Sequence, residues 1–419
     1  MAPVIDVHTH MLTHEYVSLL EQHGGPTYTL KAVAGGLRAI HLHDAPFMTP
    51  VPEMFDYPAR LLMMDRVGID VSVVSLSCPN VYWGGAEVST QAARLMNDDM
   101  AAARERYRGR VEFLCSLPWQ HAQQAVAELE RAAVRGACGV MVLANIGGAP
   151  LTAPEFAPVW QAIDRRSLPV LVHPTAPPGV QAMQMHEFQL TASVGFTFDT
   201  SLAVARMLYD GFFDRYPNLK IIASHGGGAL PYLMGRLDQC YRNIPACRTK
   251  TDHAPSSYMG RLFADSVVFT QQALDLCLHV FGEEQVLFGS DYPHTIGDPE
   301  GCLAKVNSLF GARRELVRPG FAITTAHQFP TLVPSSDPRG PQIHLAAGVG
   351  CITFQDASGE MWYKGGHDDF TGNMMICQEA RKRCTVFLAN SVRAERIYPA
   401  LARFILGDTA MPWWWEYGI

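Results

Sequence analysis

The stretch VIDVHTH, Val4 to His10, opens the chain with an apolar run that ends in two histidines separated by one threonine. Alternate side chains of a β-strand point to the same face, so a strand here would project His8 and His10 together. Two imidazoles on one face can share a divalent cation. Strand histidines are also common as core or surface residues with satisfied nitrogens. The pair indicates a metal site only if other ligands complete it.

Seven further short apolar runs follow, and longer segments separate them in which apolar residues recur three and four positions apart. The runs are residues 70–77, 111–118, 138–144, 168–174, 219–226, 262–268 and 285–291. Thr90–Tyr107 and Ala153–Ser167 are two of the helix-like segments between them. Eight strands that alternate with helices predict an α/β fold, a (β/α)8 TIM barrel.

The stretch between His14 and Asp65 is rich in Gly, Pro and His and is too long for an ordinary barrel connection. We expect it to insert a hairpin or lid over the active face. It carries a second H-x-H pair, His41 and His43, in front of a Pro-rich loop. A hairpin role is favoured for this pair, with a substrate contact from His43 as the alternative.

The sequence changes character near Arg318, where prolines accumulate and apolar periodicity is lost. We expect three parts: the barrel over residues 1–317, a linker over 318–340 and a C-terminal module over 341–419. The module contains four strand-like runs, such as EMWYKGG and CTVFLAN, followed by the helix-like VRAERIYPALARFIL. This order predicts a small antiparallel β-sheet plus helix rather than another βα repeat.

Amino-acid composition and charge indicate which class of molecule the protein binds. The 419 residues are 48% hydrophobic and 17% charged, with a formal net charge of −7 and no lysine or arginine run. This excludes the basic footprint of nucleic-acid or anionic-membrane binding and favours a small-molecule substrate. Strand-like sequence from Val4 and the lack of a long apolar stretch predict neither a signal peptide nor a membrane helix, and hence a cytoplasmic enzyme. The ten scattered cysteines are expected to be reduced and packed in cores.

Polar residues recur at the ends of other predicted strands. His173 ends LPVLVH, His225 ends LKIIASH and Asp291 ends QVLFGSD. Active sites of TIM barrels lie at the carboxyl ends of their strands, so these side chains should meet His8 and His10. Three imidazoles and a carboxylate suit zinc or another divalent ion, which leaves a histidine or the aspartate to handle protons.

The motifs DVHTH, LVHP, SHGGGALPYLMGRLD and GSDYPH, supported by MNDDMA and GFFDRYPNLKI, resemble those of the amidohydrolase superfamily. Within it they resemble the branch of aminocarboxymuconate-semialdehyde decarboxylase, over residues 3–310. The resemblance implies one divalent metal, usually zinc with manganese as the alternative. It also implies a homodimer. The implied metal ligands are His8, His10, His173 and Asp291, and the implied acid/base is His225, which would activate a metal-bound water.

Decarboxylation requires a cation for the carboxylate and a proton donor for the carbon that loses carbon dioxide. The branch resemblance therefore implies a carboxy-lyase that acts on a small unsaturated or aromatic carboxylic acid. The same constellation could hydrolyse or hydrate a small cyclic or unsaturated acid, and product analysis would separate these reactions. A non-catalytic binding protein is a third alternative and would hold no stoichiometric metal.

Three residues are candidates for substrate binding. Arg236 resembles the family arginine that grips a substrate carboxylate across a dimer interface, although a surface salt bridge is the alternative. Asn80 and Trp83 follow strand two and are expected at the active mouth, where packing is an equal alternative for Trp83. The stretch HDAPFMTPVPEMF lacks another arginine that the family places before strand two, so the family's own substrate is not implied.

The tail resembles the C-terminal end of serine β-lactamase-like hydrolases, through WYKGGHDDFTGN at Trp362 to Asn373. No S-x-x-K nucleophile motif precedes it in this module, so serine hydrolase activity is not expected. Structural roles are expected for Lys364 and His367. The triple glycine Gly226–Gly228 lacks the lysine of a phosphate loop and predicts a close backbone approach at the metal site.

Overall fold

The computed structural model describes residues 3–308, 346–347, 352–357, 359–367, 372–378, 381, 383–389 and 392–413. The chain divides into two compact units, Met1–Asn307 and Ser308–Ile419. The predicted linker at 318–340 and the predicted boundary at residue 317 lie outside the described residues. No helix in the described part of the chain combines the length and apolar character needed to cross a membrane.

Eight parallel strands form the barrel of the first unit and follow one another in chain order. They are β1 (Ile5–His10), β5 (Val71–Ser75), β6 (Val111–Cys115), β7 (Gly139–Leu143), β10 (Pro169–His173), β11 (Lys220–Ala223), β12 (Leu262–Asp265) and β13 (Val286–Leu287). The chain after β13 returns to β1, where Val7 N donates to Phe288 O at 3.0 Å and His10 N to Tyr292 O at 2.8 Å. The predicted TIM barrel is confirmed.

Helices alternate with these strands. They are α1 (His14–His23), α2 (Tyr57–Val67), α3 (Ala86–Arg106), α4 (Ala122–Val134), α5 (Ala157–Arg166), α6 (Phe196–Tyr209), α7 (Phe212–Arg215), α8 (Ser224–Gly227), α9 (Leu230–Asn243) and α10 (Gln271–Phe281), with a further helix from residue 299. Thr13, Asp56 and Thr270 cap α1, α2 and α10, since each side chain accepts a hydrogen bond from the backbone three residues on.

The near-continuous apolar runs of the strands reflect burial on both faces. In β10, Val170 and Val172 belong to the main core between strands and helices, whereas Leu171 belongs to a smaller cluster with Met141 and Ile222. Because side chains alternate along a strand, Leu171 and His173 share a face. The smaller cluster thus fills the barrel interior beneath His173 and supports the ends of the strands.

The insertion after α1 forms a three-stranded antiparallel sheet of β2 (Tyr28–Ala32), β3 (Arg38–Leu42) and β4 (Ala45–Met48). The predicted hairpin is therefore confirmed. His41 lies on β3, and its Nδ1 is 3.0 Å from the carbonyl oxygen of Asp44 in the turn. A two-stranded pair, β8 (Asn145–Ile146) with β9 (Ala149–Pro150), completes the strands of this unit.

The second unit contains a five-stranded antiparallel sheet in sequential order and the helix Tyr398–Leu406, as predicted. The strands are β14 (Ala346–Ala347), β15 (Ile352–Asp356), β16 (Gly359–His367), β17 (Gly372–Gln378) and β18 (Arg383–Ala389). Phe354, Tyr363 and Ile376 of the sheet pack with Tyr398 and Leu406 of the helix. Lys364 is exposed on β16. The resemblance to β-lactamase-like hydrolases stays a prediction.

The expectation for the cysteines was wrong in two places. Cys377 lies directly opposite Cys384 in the β17–β18 pairing, and the two form a disulfide with Cα atoms 4.1 Å apart. Cys138 is exposed rather than packed in a core. Cys78, Cys115, Cys277 and Cys302 are buried free thiols, as expected.

Candidate metal centre

The four predicted ligands come together at the carboxyl ends of the barrel strands. His8 and His10 end β1, His173 ends β10 and Asp291 follows β13, and all four are buried. One donor atom from each lies within 4.8 Å of the others. His8 Nε2 is 3.1 Å from His10 Nε2 and 3.4 Å from Asp291 Oδ1, and His10 Nε2 is 3.2 Å from the same oxygen.

These separations fit a shared ion. Donors bound tetrahedrally at about 2.1 Å from a zinc ion lie about 3.4 Å apart, close to the observed distances. The imidazole of His173 packs edge-on against His8 and His10, with ring centroids 5.1 and 4.8 Å apart. Its Nδ1 lies 2.8 Å from the carbonyl oxygen of Pro174, which leaves Nε2 for the cluster. The donor set and its spacing therefore fit one divalent metal.

Electrostatics favour the unprotonated form, which a metal requires, at three of the four donors. Burial lowers the pKa of His10 to about 3 and that of His173 well below its ordinary value. Burial opposes ionisation of Asp291, but hydrogen bonds from His10 and His225 hold its pKa well below the usual range. Burial also disfavours protonation of His8, yet the carboxylates of Asp265 and Asp291 raise its pKa to about 8.

Asp265, which the sequence analysis missed, fixes the orientation of His8. It ends β12 and is fully buried, and its Oδ2 lies 2.6 Å from His8 Nδ1. The same carboxylate accepts hydrogen bonds from the backbone N–H groups of His225, Gly226 and Val267 at 2.9 to 3.0 Å. A carboxylate behind a metal-binding histidine selects the tautomer with Nε2 free for the ion. The one sequence feature that could have identified Asp265 is its position at the end of a predicted strand.

A second network of buried hydrogen bonds fixes the position of β1. Asp6 accepts hydrogen bonds from Ser290 Oγ at 2.5 Å and from the backbone N–H of Ser290 at 3.1 Å, so it ties β1 to the segment that carries Asp291. Arg60 of α2 is fully buried. Its guanidinium donates to Thr9 Oγ1 and to the carbonyl oxygen of His10, and it lies 4.9 Å from the ring centroid of Tyr292. The guanidinium of Arg60 thus fixes β1 at Thr9, the residue between the two metal-binding histidines.

His225 stands beside the ligand cluster rather than within it. Its Nε2 is 3.5 Å from Asp291 Oδ2, and its Nδ1 is buried without a hydrogen-bond partner in the described part of the chain. It sits in a left-handed conformation (φ 55°) in the turn after β11. The glycines that follow allow this turn, since a Cβ at Gly228 (φ 63°) would lie 2.2 Å from Thr197 O. The close approach of Gly228 is thus to α6, whereas the sequence predicted an approach at the metal site.

A cavity of about 340 Å³ opens onto His173, His225 and Asp291. Its walls are largely apolar and include Phe47 and Met48 of β4, Phe196 at the start of α6 and Ile296 in the loop after β13. No lysine or arginine is found among its described lining residues. This lining suits a small, mostly apolar molecule with a polar group that faces the metal ligands.

Comparison with known proteins agrees with this geometry. The amidohydrolase family profile matches residues 5–303, which is most of the chain. The chain belongs to the amidohydrolase family.

Two curated relatives of this amidohydrolase are decarboxylases. One is 2-amino-3-carboxymuconate-6-semialdehyde decarboxylase of Dictyostelium discoideum, 28% identical over 70% of this chain and 82% of the relative. The other is gamma-resorcylate decarboxylase of Polaromonas sp., 29% identical over 56% of this chain and 76% of the relative. Among solved structures, 5-carboxyvanillate decarboxylase from Sphingomonas paucimobilis is 26% identical with a TM-score of 0.65, covering 74% of this chain and 93% of that protein.

The three predicted substrate-binding residues of this amidohydrolase lie outside the lining of the metal-site cavity. Arg236 is exposed on α9. Asn80 is fully buried, and its amide is directed to Leu76 O, Met141 Sδ and its neighbour's backbone N–H. Trp83 donates from Nε1 to Asn80 O at 2.7 Å and lines a separate cavity of about 630 Å³. Asn80 and Trp83 are thus not among the described residues that line the metal-site cavity, and their contacts with substrate stay predictions.

Proposed function

We propose that this protein is a metal-dependent, non-oxidative decarboxylase of a small unsaturated or aromatic carboxylic acid. The observation that carries the proposal is the four-donor cluster of His8, His10, His173 and Asp291, whose members His173 and Asp291 line an apolar cavity together with His225. A carbon–carbon lyase of this kind needs a site for one carboxylate and one proton donor. The decarboxylases among the relatives support the same reaction class.

The residues divide the work as follows. His8, His10, His173 and Asp291 would hold the cation, whose positive charge would attract and orient the substrate carboxylate. The walls formed by Phe47 and Phe196 would exclude water and seat the apolar body of the acid. Release of carbon dioxide leaves an electron pair on carbon that must take up a proton. His225 would deliver that proton, and the distance of 3.5 Å from its Nε2 to Asp291 Oδ2 supports this role.

We propose zinc as the metal, with manganese as the alternative. Three imidazole nitrogens and one carboxylate oxygen form a donor set that zinc commonly takes, although manganese also accepts imidazole and carboxylate ligands. Elemental analysis of protein purified without chelators identifies the ion. Restoration of activity in the metal-free protein by zinc but not by manganese would support the choice.

A panel of aromatic and unsaturated carboxylic acids tests the reaction. The metal-loaded protein is incubated with each acid, and carbon dioxide and the residual organic product are both measured. We expect equimolar carbon dioxide and a product that lacks one carboxyl group. The variant His225→Asn should lose about 10²- to 10⁴-fold in rate, the usual contribution of a proton-transfer group. His279→Asn, at an exposed position on α10, is the matched control and should retain the wild-type rate.

Product analysis also decides the alternative of hydrolysis or hydration. A product that has gained the elements of water, with no carbon dioxide, would overturn the decarboxylase proposal. Loss of carbon dioxide that is equally fast in His225→Asn would leave the reaction class in place and overturn the role of His225.

We further propose a cytoplasmic homodimer in which Arg236 of one protomer contacts the substrate carboxylate in the other. Exposure of Arg236 on α9, outside the cavity lining of its own chain, is compatible with such a contact. Mixing inactive Arg236→Ala with inactive His225→Asn tests it, because one site of the mixed dimer would combine an intact histidine with an intact arginine. About half of the wild-type activity per mixed dimer is expected, and no recovery in dimers shown to exchange would contradict it.

A further inference from the structure

Phe47 lies where two cavities of the first unit meet. It lines the metal-site cavity of about 340 Å³, to which Cys78 and His173 also contribute. Residues just beyond these two in the chain, Pro79 and Thr175, line the second cavity, of about 630 Å³. The two cavities are therefore neighbours at the carboxyl ends of the barrel strands.

A narrow cleft of about 30 Å³ lies between the two cavities. It shares Pro46 and Phe47 with the metal-site cavity, and it shares Leu42, His43, Ala176, Val180 and Gln181 with the second cavity. A space of this size has room for water but not for an aromatic ring. The ring of Phe47 thus stands at the boundary between the cavities.

Aromatic contacts on both sides hold the ring of Phe47 at this boundary. Its centroid lies 6.4 Å from that of Phe196, a wall of the metal-site cavity. It lies 6.2 Å from that of Tyr28, which lines the second cavity. Phe47 also packs against the cluster in the barrel interior that includes Leu143 and Leu171. The ring is therefore a packed partition.

A β-bulge in the inserted sheet directs Phe47 to this position. In the pairing of β3 with β4, His41 lies opposite Pro46 and Ile40 lies opposite Met48, so Phe47 is the extra residue between the two pairs. Bulges re-aim a side chain and are common beside active sites. The bulge explains why three consecutive residues of β4, Pro46 to Met48, all line the metal-site cavity.

We propose that Phe47 sets the size limit of the substrate: its ring ends the metal-site cavity, so the protein accepts acids with one ring and excludes acids in which a second ring follows the first. Removal of the Phe47 ring would join the two cavities. A second ring would then lie among Tyr28, Tyr82 and Trp83, the aromatic side chains of the second cavity. This inference rests on the proposed function, because it takes the carboxylate to bind at the metal cluster.

Calorimetric binding to the zinc-loaded protein tests the partition without turnover. The probes are benzoate, biphenyl-3-carboxylate and biphenyl-4-carboxylate, and the variant is Phe47→Ala. Burial of one more phenyl ring corresponds to about a ten- to hundredfold gain in affinity. We expect the preference for one biphenylcarboxylate over benzoate to rise by that factor, with metal content unchanged.

Phe196→Ala is the matched control, because it removes another ring from the same cavity. Phe196 is not among the described residues that line the second cavity or the cleft. Its loss should weaken the binding of all three acids and change the preference by less than about threefold. A rise as large as that in Phe47→Ala would contradict the role of Phe47 as the partition.

Two further variants keep the test decisive. Ala176→Phe in the Phe47→Ala background should reverse the gain, because Ala176 borders both the cleft and the second cavity. A gain that survives this change would place the second ring elsewhere and would overturn the inference. Phe47→Leu should give a smaller rise, and it decides alone if Phe47→Ala loses its metal.

The remaining outcomes separate this inference from the proposed function. An unchanged preference in both Phe47→Ala and Phe47→Leu would overturn the inference. A wild type that already binds a biphenylcarboxylate more tightly than benzoate would also overturn it, and so would failure of all three acids to bind any form of the protein. A changed preference without carbon dioxide release from any acid would contradict the proposed function and leave the partition standing.

Discussion

The carboxylate behind His8 provides the sharpest prediction, for the substitution Asp265→Asn. In the wild type, Oδ2 of Asp265 faces His8 Nδ1 and the backbone N–H of His225, while Oδ1 faces those of Gly226 and Val267. An asparagine has one oxygen, so its NH₂ group faces either His8 Nδ1 and the backbone N–H of His225, or the backbone N–H groups of Gly226 and Val267. With the NH₂ group towards His8, whose Nδ1 can accept in the other neutral tautomer, one buried backbone donor loses its acceptor.

The magnitude follows from that donor. An unsatisfied buried donor costs about 1–3 kcal/mol, and the free energy of unfolding should fall by that amount. Loss of the carboxylate behind a ligating histidine typically weakens metal binding about 10- to 100-fold, which is about 1.4–2.8 kcal/mol. Asp275→Asn on the exposed face of α10 is the control and should change neither quantity measurably.

Urea unfolding of the metal-free protein and chelator competition for the metal measure the two effects separately. A metal dissociation constant for Asp265→Asn within twofold of the wild type would refute the reasoning. So would an undiminished free energy of unfolding, since the structure leaves no acceptor to replace the lost oxygen.

Three other perturbations have defined outcomes. A pKa of about 8 for His8 means that metal binding displaces its proton below pH 8, so the apparent affinity should fall about tenfold per unit from pH 8 to 6 and level off above; a flat profile would contradict this. Arg60→Met should lower the free energy of unfolding by about 1–3 kcal/mol because the buried carbonyl oxygen of His10 loses a donor, whereas the exposed Arg66→Met should change it by less than about 0.5 kcal/mol, both measured by urea unfolding. Phe196→Ala should raise KM for an aromatic acid about 5- to 30-fold, a loss of about 1–2 kcal/mol of apolar contact, and steady-state kinetics that show a fall in kcat alone would contradict a wall role.

The barrel and the polar residues at its strand ends could be predicted from sequence because both depend on local pattern, and the family resemblance then selected the four ligands among them. Apolar runs at regular intervals mark the strands, and a histidine or aspartate at the end of a run falls at the carboxyl edge of the sheet. His173 and Asp291 were found in this way although 165 and 283 positions, respectively, separate them from His8. The eighth strand was predicted over residues 285–291, but β13 covers only Val286–Leu287. The position of a strand in the chain was therefore easier to predict than its length.

The supporting residues escaped prediction because their roles depend on tertiary contacts. Asp265 ends β12 much as Asp291 ends the predicted eighth strand, and only the 2.6 Å contact with His8 distinguishes support from ligation. Nothing in the helix pattern of α2 marks Arg60 as buried. Asn80 was expected at the mouth, yet its left-handed backbone (φ 57°) and its bond to Val81 N turn it into the protein.

The second unit shows the same limit. The strand pattern predicted its antiparallel sheet, but the disulfide depends on the register that sets Cys377 opposite Cys384 across a hairpin. A shift of one residue would point the two side chains to opposite faces of the sheet. Cysteine spacing alone does not define that register.

Metal content per chain tests the central claim most directly. Wild-type protein purified with added zinc and without chelators should contain about one ion per chain, as expected for one closed set of four donors. His173→Ala and Asp291→Ala should lose it, while His225→Ala should retain it, because His225 stands outside the donor set. A metal-free wild type, or full occupancy in Asp291→Ala, would contradict the site on which the proposed chemistry depends.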